Sequence, residues 1–232
     1  MVQQVRLNKY LSDVGVCSRR EADRLVEAGR ITVDGVIAVM GQKVLPTQDV
    51  RIDGKVIKKE QDKVLLAFHK PKGIVCTTSK KDKDNIVDYI NYGKRIYPIG
   101  RLDKDSDGLI LLTNNGELVD KILRGSNLHE KEYIVTVNKK LTPEFIRAMG
   151  AGVPILNTVT RPCEVEQISP RTFRIILTQG LNRQIRRMCE YFDYRVVELT
   201  RVRVLNIRLG KLKVGTYRRI AGKELEELIS LL

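Results

Sequence analysis

The sequence predicts an α+β protein in two parts: a small α/β unit over residues 1–62 and a larger domain over 63–232, with a mixed, mainly antiparallel sheet flanked by helices. Three observations carry this. Apolar residues recur at helical spacing within the first thirty positions, and two short hairpins on Asp-Gly turns follow them. Beyond residue 63, apolar β-branched runs outnumber helical patterns and mostly succeed one another with no helix between, which argues against a doubly wound parallel sheet. Between the two parts, Lys58-Lys59-Glu60-Gln61-Asp62-Lys63 is short, charged and aperiodic, and the domain boundary is placed there.

In the first part, Leu7, Leu11 and Val14 line one side of a helix that Gly15 stops. Ser18-Arg19-Arg20-Glu21 reads as a capping box, with Ser18 accepting from the Glu21 amide and the Glu21 carboxylate reaching back. Ala22, Leu25 and Val26 give the second helix its apolar face, and Gly29 ends it. Hairpins follow on Asp34-Gly35 and Asp53-Gly54. Lys9, Arg19 and Arg20 are cations of the polar helix faces and by themselves read as the solvated side of two amphipathic helices.

In the second part, Val64–Phe68 reads as a strand, Lys70-Pro71-Lys72-Gly73 as a turn and Ile74–Thr78 as the return strand. Residues 84–90 form a short capped helix. The run Arg95–Ile99 leads into Gly100-Arg101-Leu102-Asp103-Lys104-Asp105-Ser106-Asp107-Gly108, and Leu109–Thr113 leads out as a strand. Glu117–Leu123 is helical, His129–Val137 is a strand, and Thr142-Pro143 opens a helix running to about Met149, ended by Gly150-Ala151-Gly152. That glycine pair is no dinucleotide fingerprint, because a helix precedes it and the third glycine is missing. Phe173–Thr178 is a strand. The helix Asn182–Phe192 carries Ile185, Met188, Cys189 and Phe192 on one side, with Arg183, Arg186, Arg187 and Glu190 on the other. Those guanidiniums are either a solubilising face or a cation cluster for phosphate or the aspartate loop. Strands Val196–Leu199 and Val202–Ile207, the segment 215–220 and a helix Lys223–Leu231 complete the chain.

Composition bounds the function. The net charge is +14, of which residues 1–62 hold +2 and the remainder +12. Such a balance favours a polyanionic partner, and a nucleic acid over a membrane, since no basic amphipathic anchor stands out. No apolar run reaches membrane-spanning length and Met1–Arg6 is too polar for a signal peptide, so a cytoplasmic protein is expected. Cys17, Cys76, Cys163 and Cys189 form no C-x-x-C pair and read as buried free thiols. With His69 and His129 they show no metal-ligand spacing, and no metal is expected.

The loop at 100–108 concentrates three aspartates, an arginine and a lysine between two strands, a density of charge that needs partners if it is buried. Loops held between strands commonly mount reactive groups. Three readings compete. One is a solvated turn. Another is calcium, since Asp103–Gly108 fits D-x-[DN]-x-[DN]-G; but the twelfth position is Asn114 where a bidentate glutamate belongs, and the flanks are strands, not helices.

The third is a resemblance. Gly100-Arg101-Leu102-Asp103, with Ser106-Asp107-Gly108-Leu109-Ile110-Leu111-Leu112-Thr113-Asn114, resembles the catalytic segment of RsuA-type RNA pseudouridine synthases, and within them the branch acting on large-subunit (23S) ribosomal RNA. His69–Gly73 resembles the family's first motif, Lys131-Glu132-Tyr133 its Lys-x-Tyr, and Arg183-Gln184-Ile185-Arg186-Arg187 its third motif. Leu7–Leu11, Ser18–Ala22 and Gly29–Gly35 are similar to an S4-type RNA-binding domain.

The resemblance implies an isomerase that converts a uridine of a ribosomal RNA stem-loop to pseudouridine as a monomer without a cofactor. Asp103 would be the nucleophile, Tyr133 the active-site tyrosine and Arg186 the arginine paired with Asp103, with Arg183 as the second choice. Arg101 would fill the space left by a flipped base, and Lys9, Arg19, Arg20, Arg183 and Arg187 would contact RNA. Lys70, Pro71 and His69 would be framework. A flipped base is needed because the target carbon is unreachable within a stack. Burial would raise the pKa of the nucleophilic carboxylate, and an adjacent guanidinium opposes this. The alternatives are the same reaction on 16S ribosomal RNA or transfer RNA, and a non-catalytic RNA-binding or assembly factor on the same fold. Without the wider match, Tyr133 alone reads as a half-buried strand aromatic.

Overall fold

The computed structural model describes residues 4–57, 62–123 and 128–232. The described residues gather into two compact units: those up to Val64 with Gly93–Arg95 and Asn114–Gly116, and Leu65–Tyr92 with Ile96–Thr113 and Glu117–Leu232. Lys58–Gln61 of the expected linker lie outside the described residues. Asp62 and Lys63 fall in the first unit, where the Lys63 ammonium donates to the Asp13 carbonyl at 3.0 Å.

The first unit runs β1 (Val5–Arg6), α1 (Leu7–Asp13), α2 (Arg19–Glu27), β2 (Ile31–Val33), β3 (Val36–Ile37), β4 (Lys43–Val44), β5 (Val50–Ile52) and β6 (Lys55–Val56). Both expected hairpins form within an antiparallel sheet of order β3-β2-β5-β6. Asp34 and Asp53 take φ +51° and +49° and their following glycines +82° and +75°, the paired left-handed backbone that a two-residue hairpin turn requires. Leu7, Leu11, Ala22, Leu25, Ile31 and Val44 close the core. The capping box is half made. The Glu21 amide donates to Ser18 Oγ at 3.1 Å, but the Glu21 carboxylate lies exposed and turns to Arg24 at 3.0 Å, an i,i+3 ion pair in place of the return bond.

The second unit runs β7 (Leu65–Lys70), α3 (Ile86–Ile90), β8 (Tyr97–Ile99), β9 (Asp107–Thr113), α4 (Gly116–Leu123), β10 (Lys131–Val137), α5 (Pro143–Ala151), β11 (Pro154–Ile155), β12 (Thr158–Val159), β13 (Glu164–Ser169), β14 (Thr172–Leu177), α6 (Gln184–Tyr191), β15 (Val196–Val204), β16 (Ile207–Arg208), β17 (Tyr217–Arg219) and α7 (Gly222–Ser230). The main sheet has the order β13-β14-β10-β15-β9-β7-β17, with β8 on β9 and β16 on β15. Among the described residues its pairings are antiparallel except β15 with β9, so the sheet is mixed as expected. Val135, Val137, Phe173, Ile175 and Leu177 pack beneath α5 and α6. Leu65, Ala67, Leu109 and Leu111 point to the opposite face and pack against α4 and α7.

Three expectations are corrected. Ile74–Thr78 is not a strand: apart from a single bridge from Val75 to Asn85 it leaves the sheet, and the Ile74 carbonyl is taken by the Lys70 ammonium instead of a ladder. Val196–Leu199 and Val202–Ile207 are not separate: the chain stays extended from Val196 to Val204, and the residues between, Thr200 and Arg201, pair with Asp107 and Gly108. The helix α5 continues through Gly150 to Ala151; a Cβ at Gly150 would come within 3.0 Å of the Cys163 carbonyl, so a small residue lets the helix lie against the approach to β13. The strands between 154 and 169 went unforeseen because their outward residues are largely polar and β13 is an edge.

Candidate active site

The aspartate loop joins β8 to β9, which pair antiparallel from Tyr97↔Thr113 to Ile99↔Leu111. It is fixed from beneath by the turn that follows β7. The Lys70 side chain, 0% exposed, donates to the carbonyls of Pro71 at 2.9 Å, Ile74 at 2.8 Å and Lys104 at 3.5 Å. Gly73 N–H donates to the Lys104 carbonyl at 2.7 Å, and the Leu102 amide donates to Cys76 Sγ at 3.3 Å. Burial lowers the Lys70 pKa, while the Asp107, Asp105 and Asp103 carboxylates nearby act in the opposite direction. At the C-terminal end of the loop, Gly108 has φ +106°, and a Cβ there would lie 2.3 Å from the Arg201 carbonyl oxygen. Glycine is what allows β9 and β15 to meet at this point.

The opposing wall comes from the start of α6. Arg183 caps that helix in the left-handed region, φ +49°, and its guanidinium donates to both carboxylate oxygens of Asp105, at 3.1 and 3.2 Å. The same group lies 3.8 Å from Asp103 Oδ2. The Arg186 Nη2 sits 3.4 Å from Asp105 Oδ2 and donates to the Asp105 carbonyl and Ser106 Oγ, both at 3.2 Å. Its Nε is buried with no partner among the described residues. Partial burial pushes the Asp105 pKa up, but the bonds from Arg183 and the charge of Arg186 outweigh it, and the net shift is downward.

This corrects one expectation and bears on the two alternatives left open for Arg183, Arg186 and Arg187. Among the described residues, the guanidinium within 4 Å of the Asp103 carboxylate is that of Arg183, while Arg186 engages Asp105 and Ser106. The three arginines also do not share a solvated face. Arg186 is 8% exposed, and Arg187 folds back to Asn182, whose carbonyl and Oδ1 it meets at 3.1 and 3.3 Å. A helical projection that includes Arg183 misplaces that residue, because Arg183 precedes the helix and its left-handed φ redirects its side chain.

Arg101, Asp103, Asp105 and Arg183, with Lys72 and Cys76, line an open cleft of about 580 Å³. Arg101 is exposed at its rim. A second cavity of the same volume, beside His129, Arg203 and Arg208, contains none of the loop residues; Arg203 there is bonded to Glu130 and Glu132. Tyr133, half-buried on β10, stands opposite Arg201 on β15, Arg201 opposite Gly108, and Gly108 opposite Lys70. One row of the sheet thus links the tyrosine to the end of the aspartate loop, about 10 Å away across two strand spacings. The sequence reading overlooked the roles of Asp105 and Ser106 as receivers of the arginines. It also overlooked Arg201, 4% exposed, whose Nε donates to the Leu109 carbonyl at 2.7 Å. For Asp105 the alternating aspartates were the available signal; nothing in the pattern marks Arg201 as buried.

Elsewhere, Lys9 is ion-paired with Asp13 at 2.5 Å, and Arg19 and Arg20 are exposed at the start of α2. His69 Nδ1 lies 2.8 Å from the Leu212 carbonyl, a satisfied framework position. Of the cysteines, Cys76 and Cys189 are buried but Cys17 and Cys163 only half so; all four are free thiols. No group of three or more metal-ligating side chains is found among the described residues, and no helix there is long and apolar enough to cross a membrane.

The sequence pattern of the RNA pseudouridylate synthases matches residues 64–191, and that of the S4 domain residues 5–49. A dual-specificity RNA pseudouridine synthase RluF of Salmonella typhi is 55% identical over 229 residues, covering 98% of this chain and 79% of its own. The ribosomal large subunit pseudouridine synthase B of Bacillus subtilis is 32% identical over 235 residues, covering 97% and 96%. A solved pseudouridylate synthase superposes with a TM-score of 0.71 over 97% of this chain and 99% of that one, at 24% identity, and so shares the fold. With an S4 domain ahead of a synthase domain and relatives of this identity along nearly its whole length, the chain belongs to the RNA pseudouridylate synthase family.

Proposed function

We propose that this protein isomerises a uridine in a stem-loop of large-subunit ribosomal RNA to pseudouridine, with Asp103 as the nucleophile. The observation that carries the reading is a carboxylate in an open cleft with a guanidinium 3.8 Å away and a second acid, Asp105, anchoring that guanidinium. In the reaction the bond from N1 to C1′ breaks, one from C5 to C1′ forms, C5 loses a proton and N1 gains one. No electron or group is exchanged with a second reactant, so the chemistry calls for no cofactor. A carboxylate suffices as nucleophile or as base at the ribose, provided it stays ionised.

Arg183 supplies the countercharge to Asp103, and Arg186 holds the loop through Asp105 and Ser106. Arg101, at the rim, enters the space that the flipped nucleotide leaves. Tyr133 stacks on the extruded uracil, a contact worth about 1–3 kcal/mol. Arg187, Arg19, Arg20 and Lys9 contact the RNA backbone and position it, Lys9 doing so on release from Asp13. The near-neutral S4 unit then contributes register more than affinity. The protein acts as a cytoplasmic monomer.

The test is Asp103→Asn on an RNA stem-loop, reading pseudouridine formation and RNA affinity together. Binding within about twofold of the parent with turnover abolished is the expected outcome. Full product formation by the variant refutes the assignment.

A further inference from the structure

We infer that the edge of the sheet beside the loop carries an aromatic platform, made of Tyr89, Tyr92 and Tyr217, on which an unpaired base adjacent to the flipped uridine stacks. This rests on the proposed action on RNA and extends it to the neighbouring nucleotide. Tyr217 lies on the edge strand β17, in register with Phe68, two residues before Lys70 on β7. Its ring meets that of Tyr92 edge-on at 5.5 Å, and Tyr89 lies 5.9 Å from Phe68. The Tyr89 hydroxyl sits over Gly215, where a Cβ would come within 2.7 Å of it, so the glycine makes room for the ring.

Buried aromatics need no further account, but these are not buried: Tyr89 is 48% exposed and Tyr217 is 43% exposed. Leaving so much ring in water forgoes the burial that normally stabilises an aromatic, which points to a partner with a flat apolar face. Two features make that partner a nucleobase. The first is continuity with the cleft. Phe68 and Lys70 share a face of β7, Lys70 pairs with Gly108, and Tyr217 pairs with Phe68, so Tyr217 stands about 12 Å from Gly108 on the same side of the sheet.

The second is charge. Lys72, two residues after Lys70, and Lys211 and Lys213, six and four residues before Tyr217, are exposed. The segment bearing the last two is tied to β7 by His69 N–H donating to the Thr216 carbonyl at 3.0 Å and Gly215 N–H donating to the His69 carbonyl at 2.8 Å. Of the acids on or before α3, Asp84 is paired with Lys104, Asp88 accepts from the neutral Asn85 amide and keeps its charge, and Asp82 is exposed, so the lysines outnumber the carboxylates left unneutralised. Aromatic rings for bases between lysines for phosphates is how single-stranded nucleic acid is held without sequence readout.

The test uses the full chain and a stem-loop RNA with unpaired nucleotides beside the target. Tyr217→Ala is expected to weaken binding and raise KM by about 5- to 160-fold, the range of one lost stack, with the saturated rate falling less than KM rises. Tyr217→Phe should stay within twofold, because the ring and not the hydroxyl stacks. The slope of affinity against salt should not change, since no phosphate contact is removed. Affinity unchanged in a folded Tyr217→Ala overturns the inference, as does a loss in Tyr217→Phe as large as in Tyr217→Ala. A reading independent of Ala-variant folding is Tyr217→Trp. The chain contains no tryptophan, so this becomes the sole indole, and stacking should quench it on RNA binding. Unchanged emission at saturating RNA, in a variant that still forms pseudouridine, refutes the platform while leaving the enzymatic reading intact. Quenching by an acidic protein but not by RNA would overturn it in favour of a protein partner.

Discussion

Replacing Gly108 by alanine tests the join on which the site is built. The added Cβ would stand 2.3 Å from the Arg201 carbonyl oxygen and 2.5 Å from the Arg201 nitrogen, both backbone atoms of the neighbouring strand. No rotamer change relieves that. Either β9 and β15 part where Thr200 faces Asp107 and Arg201 faces Gly108, or the residue leaves φ +106° and the loop moves with it. The unfavourable backbone region costs about 1–2 kcal/mol for a residue with a Cβ. Opening the pairing loses about 1 kcal/mol per ladder bond. Displacing Arg201 weakens its 2.7 Å bond to the Leu109 carbonyl, a charged donor worth about 1.5–3 kcal/mol. A destabilisation of about 3.5–6 kcal/mol follows, readable as a lowered urea midpoint by far-ultraviolet circular dichroism. Hydrogen exchange should place the loss in residues 107–113 and 196–204. Gly180→Ala is the control: it has open space around it and a φ outside the left-handed region, and should cost under about 0.5 kcal/mol. A Gly108→Ala protein as stable as the Gly180→Ala protein would refute the close-approach argument.

Other outcomes follow from the same structure. Arg183→Met should lower turnover at least tenfold while RNA affinity falls less than fivefold; equal losses would reassign Arg183 to phosphate contact. Arg186→Met, which strips two bonds from the loop, should cost about 1–3 kcal/mol of stability as well as turnover, and unchanged thermal stability would contradict its part in holding Asp105 and Ser106. The folded pKa of Asp105 is depressed, so its stabilisation is fully present above the ordinary carboxylate value of 3.8 and is lost as pH falls through the lower folded value. Asp105→Asn should therefore flatten the acid limb of a stability–pH curve, and an unaltered limb would count against the Arg183 pairing. Cys189, whose thiol burial pushes up to about 12, should resist thiol reagents at about pH 8 in the folded protein, and labelling at the rate of a free thiol would contradict its burial.

Local chemistry was legible in the chain. Capping residues, Asp-Gly turns, the continuous apolar runs of β7 and β9 and the alternation of β10 and β14 mark their elements because each depends on near neighbours. The charged loop between two strands stood out because its charge is dense whatever surrounds it. Family motifs located Asp103 and the arginine-rich segment. What tertiary structure decided was which charges meet. The choice between Arg183 and Arg186 depends on a left-handed residue ahead of α6 and on a loop eighty residues earlier, and spacing along a helix encodes neither. Nor does any local pattern announce that Arg201 is buried, and Lys70, marked as framework only through the family's first motif, ends β7 as a buried cation because the carbonyls of Pro71, Ile74 and Lys104 are gathered around it. Hydrophobic period is a property of the segment, whereas ion pairing is a property of the fold, and the site is made of the second.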